Sequence, residues 1–170
     1  MVAIWDTYLT TDQKKQREKG TVLILQPLIL LLRSDENKYN VKKTEAAWKA
    51  QLSKEEYKIL REKGTEFPFT GKFNDHFEAG TYSCKGCGNP LYNSESKFDS
   101  HCGWPSYDHA IEGALELLPD HSGGVFRTEI VCANCGGHQG HVFDDGPTET
   151  GLRYCVNSAS IDFKKSPSKQ

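Results

Sequence analysis

Hydrophobic and polar residues follow three different spacings along this chain. Positions 21–32 form an apolar run broken only by Gln26 and Pro27, preceded by a polar, charged stretch at 12–19. The run is about half as long as the roughly 20 residues that a membrane span needs. Arg33, Ser34 and Asp35 follow it directly, without the small residues of a cleavage site, so neither a span nor an export signal is expected. Residues 1–43 read instead as a poorly ordered extension, with a docked extra strand or helix as the remaining option. Between 44 and 63 the spacing turns helical: Thr44 is placed to cap a helix over 45–52, and Ser53 with Glu56 forms a capping box for a second. Ala47, Leu52, Tyr57 and Leu60 supply the apolar contacts of the pair, and Gly64 after Lys63 ends it.

From Gly80 onward short apolar runs at 81–84, 90–92, 114–118, 125–132, 138–143, 152–157 and 160–163 stand between clusters of glycine, proline, asparagine and aspartate. This pattern predicts a mainly β domain over 44–165, built of small antiparallel sheets in a tent-like or barrel-like arrangement, with the two short helices packed outside. Residues 119–124 and 144–151 read as loops, and 166–170 as a tail.

A chain of 170 residues can bury a core of its own, so a bound metal would reinforce the fold and not be its sole organiser. The net charge is -2 and the lysines and arginines are dispersed, which leaves no footprint for a phosphate backbone and argues against nucleic acid as a partner. All six cysteines, all six histidines, all eight phenylalanines and thirteen of fifteen glycines lie at or beyond Phe67. The chemistry therefore belongs to the second part of the chain.

The six cysteines divide by spacing into four and two. Cys84 and Cys87 repeat the pattern of Cys132 and Cys135, each pair being followed by a glycine able to take positive φ. Two such turns can close four thiolates around one tetrahedral zinc ion with no open position, which is a structural site. Two redox pairs or two disulfides are the alternatives. Paired metal spacing without an export signal favours a reducing compartment, the cytoplasm. Cys102 and Cys155 stand apart. If 152–157 is a strand, Arg153, Cys155 and Asn157 share a face and offer cation, thiol and amide to one ligand; a buried core cysteine is the competing possibility. His138 and His141 follow the second knuckle and could be ligands, proton donors or packed rings, and four sulfurs already filling the metal favour proton transfer. Trp104, in a turn of glycine and proline, can wall an apolar ligand or pack in the core.

Four segments in this order resemble the methionine-R-sulfoxide reductases: Gly80-Thr81-Tyr82-x-Cys84-x-x-Cys87, Phe98-Asp99-Ser100-x-Cys102-Gly103-Trp104-Pro105-Ser106, Cys135-x-x-His138-x-Gly140-His141-Val142-Phe143, and Arg153-Tyr154-Cys155-Val156-Asn157-Ser158-Ala159-Ser160. The resemblance spans roughly 48–163. It implies that Cys155 attacks the sulfoxide sulfur and becomes a sulfenic acid, that Cys102 condenses on it to a disulfide, and that thioredoxin reduces this bond. It further implies that Trp104 receives the substrate methyl group, that His138 and His141 protonate the oxygen, and that Asn157 and Arg153 orient and polarise the site. A modest lowering of the Cys155 pKa is expected, with methionine-R-sulfoxide, free or in proteins, as substrate and a monomer as the working state. His101, Gln139 and Tyr107 depart from the family's usual residues at their positions, small, apolar and phenylalanine respectively, and Gln139 is expected to alter the surroundings of the substrate pocket. A zinc-ribbon interaction module, with Cys102 and Cys155 as ordinary core residues, is the alternative from a different class; a secreted disulfide protein is a third.

Overall fold

The computed structural model describes residues 38–167. The expectations for 1–37 lie outside the described residues. Tyr39–Gln170 forms one compact unit. Its chain starts with α1 (Glu45–Gln51), where the Thr44 hydroxyl accepts from the Ala47 amide, and α2 (Lys54–Glu62), where Ser53 and Glu56 close both halves of the capping box. These caps are local, and the sequence signal for them holds. Two expectations at the helices need correction. Ala47 is exposed while Trp48 and Ile59 are buried, because α1 turns its large ring inward and leaves the small residue outside. Lys63, not Gly64, takes the left-handed conformation at φ 56 that ends α2.

Among the described residues nine strands follow: β1 (Gly80–Cys84), β2 (Pro90–Asn93), β3 (Lys97–Phe98), β4 (Ser106–Tyr107), β5 (Leu115–Asp120), β6 (Arg127–Cys132), β7 (His138–Phe143), β8 (Arg153–Val156) and β9 (Ile161–Lys165). They form a three-stranded sheet, β2-β1-β9, and a six-stranded sheet, β3-β4-β8-β7-β6-β5. Every pairing is antiparallel, as the mainly β expectation requires. The sequence pattern missed β3 and β4, since two residues are too few to show a period. It also read Pro119 and Asp120 as loop. Both belong to β5, which lies at the sheet edge, where a proline without an N–H breaks no ladder bond.

Tyr82, Leu91, Tyr92, Tyr107, Val156 and Ile161 are fully buried between the sheets and the helices, with Trp48, Leu52 and Leu60 covering them. Tyr107 stacks on Tyr92 with centroids 4.1 Å apart. Its hydroxyl, the group that distinguishes it from phenylalanine, is buried without a protein partner.

Candidate active site and metal centre

Cys155 sits in the middle of the larger sheet. β8 pairs with β4 on one side and β7 on the other, and β7 pairs with β6. The register sets Ser106, Cys155, His141 and Glu129 directly across from one another on four successive strands, and directly opposed residues point to one face. Close approach of β7 and β8 depends on Gly140, where a Cβ atom would stand 2.0 Å from the Cys155 carbonyl oxygen. Strict alternation would send His138 and His141 to opposite faces. A register shift between Ile130 and Val131 resets the alternation, and the two imidazole centroids lie 5.5 Å apart.

Cys102 arrives on the turn between β3 and β4. Its Sγ lies 3.8 Å from the Sγ of Cys155. The turn needs left-handed backbone at His101 (φ 56) and Gly103 (φ 91). Left-handed backbone favours glycine, and His101 adopts it with a full side chain. His101 is held there by its own amide, which donates to Asp99 Oδ1 at 2.9 Å. The thiols respond to each other. The hydrogen bond from Cys155 holds Cys102 down at about 4 against its burial, with Ser100 and Ser106 adding to it. The same contact, together with burial, pushes Cys155 up, and the Arg153 guanidinium opposes this only in part. The expectation of a lowered Cys155 is thus corrected: sequence offered a cation and an amide but hid the second thiol.

The remaining site residues divide into those that face the thiols and those that brace them. Arg153 makes a bidentate pair with Asp145, both contacts 2.8 Å, and stacks its guanidinium over Phe143 at 4.6 Å. Asn157 does not share the face of Cys155. Its amide oxygen accepts from the Glu66 amide at 3.0 Å and its nitrogen donates to the Gln139 carbonyl at 3.0 Å, so β8 has ended before it and both polar ends brace backbone. Trp104, half-buried, donates from Nε1 to the Glu66 carbonyl at 3.2 Å. Glu66 itself is 7% exposed and its carboxylate accepts from the amides of Ser158 and Ala159. This one residue therefore ties the tryptophan turn to the chain leaving Cys155.

Each histidine has its own carboxylate. His138 is buried, with Nδ1 2.7 Å from Glu129 Oε1 and Nε2 buried without a protein partner. Burial alone would raise the Glu129 carboxyl, but hydrogen bonds from His138 and Lys63 hold it below the ordinary value. His141 Nε2 lies 2.7 Å from Asp120 Oδ2. Burial lowers the His141 pKa, and Asp120 opposes that without cancelling it. Glu66, Asp120, Glu129 and Asp145 were all missed by sequence reading. They lie 8 to 93 residues from the groups they hold, and no local period marks them.

The four knuckle cysteines converge as expected. Their sulfurs all lie within 4.8 Å of one another, with Cys84 and Cys135 at 3.7 Å and Cys87 and Cys132 at 3.6 Å. Four ligands at about 2.3 Å in a tetrahedron place sulfurs about 3.8 Å apart, so the donor set fits a thiolate-bound metal. Gly88 and Gly136 take φ 75 and 69 behind the two knuckles. Side-chain amides of Asn89, Asn134 and Gln139 point at Cys132, Cys87 and Cys84 from 3.8, 3.6 and 3.6 Å, contacts that favour thiolates. Gln139, fully buried, turns its side-chain nitrogen to Cys84 and to the Gly137 carbonyl.

Residues 52–165 match the SelR domain. The chain belongs to this family. A "Peptide methionine sulfoxide reductase MsrB" of Variovorax paradoxus is 54% identical over 131 residues, which cover 74% of this chain and 96% of that protein. Proteins of the same name from Teredinibacter turnerae (56% identical; 69% of this chain, 88% of the relative) and Leptospira interrogans (50%; 75% and 98%) agree. The resemblance read from the four motifs is borne out, and with it the assignment as an oxidoreductase of the MsrB family. Among the described residues no helix is long and apolar enough to cross a membrane.

Proposed function

We propose that this protein reduces methionine-R-sulfoxide, in peptides or as the free amino acid, through a thiol cycle between Cys155 and Cys102. The observation that carries this is the 3.8 Å separation of their sulfurs on the face that also holds His141. Neither thiol is packed as an inert core residue, both being only partly buried, which disfavours the interaction-module alternative. Substrate binds with its methyl group against Trp104 and its oxygen toward the imidazoles. Cys155 releases its proton to solvent as substrate binds, and Arg153 stabilises the thiolate left behind. That sulfur attacks the sulfoxide sulfur, a histidine protonates the oxygen, and methionine leaves as Cys155 becomes a sulfenic acid. Cys102 displaces the hydroxyl as water, forming the disulfide, and the dithiol of thioredoxin reduces it. A zinc ion held by Cys84, Cys87, Cys132 and Cys135 supplies folding energy and takes no part in the cycle. A monomer in the cytoplasm is the setting these reducing requirements favour.

Two results test the cycle. Cys102→Ser is expected to release one equivalent of methionine per chain and then stall with thioredoxin; sustained turnover would remove Cys102 from its role. Proton donation by His141 requires its charged form, so kcat/KM should fall as pH rises through a point below the ordinary imidazole pKa of about 6.5. Asp120 raises that pKa. Asp120→Asn should therefore move the falling limb to still lower pH, and an unmoved limb assigns the proton to His138.

A further inference from the structure

We propose that Ser100 and Ser106 form a hydroxyl relay that keeps Cys102 charged for its attack on the sulfenic acid, acting as positioning residues for the second half of the cycle. The inference rests on the function proposed above. Ser100 Oγ donates to Cys102 Sγ at 2.9 Å and lies 2.7 Å from Ser106 Oγ, which is itself 3.6 Å from the same sulfur. Ser106 is fully buried and stands directly across from Cys155 in the β4–β8 register, so the relay is fixed to the sheet. Each hydroxyl has one hydrogen. The Ser100 hydrogen goes to the sulfur, while the Ser106 hydrogen has two acceptors, Ser100 Oγ and the Trp104 carbonyl at 3.2 Å; its donation to Ser100 polarises the pair toward the sulfur.

The other charged and titratable groups around Cys102 do not do this work. Asp99 and His101, on its own turn, pair with each other at 3.1 Å and are exposed. Arg153 on β8 is engaged by Asp145. The Glu66 carboxylate faces the amides of Ser158 and Ala159. Cys155 loses its thiol hydrogen on becoming a sulfenic acid, so the contact that charges Cys102 in the resting enzyme is altered just when Cys102 must react. The serines remain. In that step the Cys102 Sγ to Cys155 Sγ bond forms, the sulfenic S–O bond breaks, and hydroxide takes a proton from solvent to leave as water. A protonated Cys102 would have to ionise first.

The test follows the two halves separately after one equivalent of methionine-R-sulfoxide, reading methionine release and disulfide formation between about pH 5 and pH 8. Ser100→Ala should release methionine at the native rate. Its disulfide formation should slow toward the acidic end of this range, with the pH midpoint raised by about one to two units, the size of one lost hydrogen bond to a charged group. Ser100→Thr restores the hydroxyl and should restore the profile. Alkylation of Cys102 by iodoacetamide in the Cys155→Ser background provides a second measurement: adding Ser100→Ala should shift its pH midpoint in the same direction. A native profile for disulfide formation in Ser100→Ala overturns the relay. Absence of methionine release from the native chain would instead overturn the Cys155 assignment itself.

Discussion

Serine at position 155 is expected to abolish sulfoxide reduction, leaving less than about a thousandth of the native rate, the scale on which removal of a nucleophile is felt. Attack on sulfur needs a polarisable anion, and a serine hydroxyl does not ionise in a pocket that already pushes a thiol upward. The structure gives reasons why the loss is chemical and not structural. Cys155 is only partly buried, serine has nearly its shape, and the neighbouring backbone contact to Gly140 is untouched. Cys102 is not placed to take over, because its sulfur stands 3.8 Å from the attacking one, and displacements of this size disrupt alignment. The measurement is methionine release from the separated epimers. Near-native turnover of the R epimer by Cys155→Ser would place the nucleophile elsewhere.

What the sequence made legible here is what short-range chemistry decides. Two Cys-x-x-Cys-Gly turns announce a metal whatever surrounds them, because two residues of spacing already constrain both sulfurs to one turn. Caps at Thr44 and Ser53 are likewise local. The run His138–Phe143 is matched residue for residue by β7. Whatever depends on strand register was hidden. Period two places Arg153 and Cys155 on one face but cannot say that β8 ends before Asn157, whose amide then turns to Glu66 and Gln139. It cannot announce a bulge, so it gave no sign that His138 and His141 lie side by side. It left each imidazole without the carboxylate that orients it. The wrong direction for the Cys155 pKa has the same origin: the dominant influence is a sulfur 53 residues away.

Loss of one metal ligand is expected to unfold the domain, and Cys132→Ser is the sharpest case. Cys84 ends β1 in the three-stranded sheet, whereas Cys132 ends β6 in the six-stranded one. The cluster is therefore a staple between two sheets that share no strand. Structural zinc contributes about 10–16 kcal/mol in small peptides, as much as or more than the roughly 5–15 kcal/mol total stability of an ordinary domain. Cys132 is fully buried and accepts from Asn89 at 3.8 Å. A serine there leaves three thiolates gathered around a broken tetrahedron, with their mutual repulsion no longer balanced by a fully coordinated cation. Cooperative thermal unfolding followed by circular dichroism should disappear or fall far below the native midpoint, and a chelator should do the same to the native chain. Metal analysis should return one zinc per native chain. Retention of the native melting transition after complete removal of the metal would mean that the aromatic core around Tyr82, Tyr92 and Tyr107 holds the two sheets together unaided.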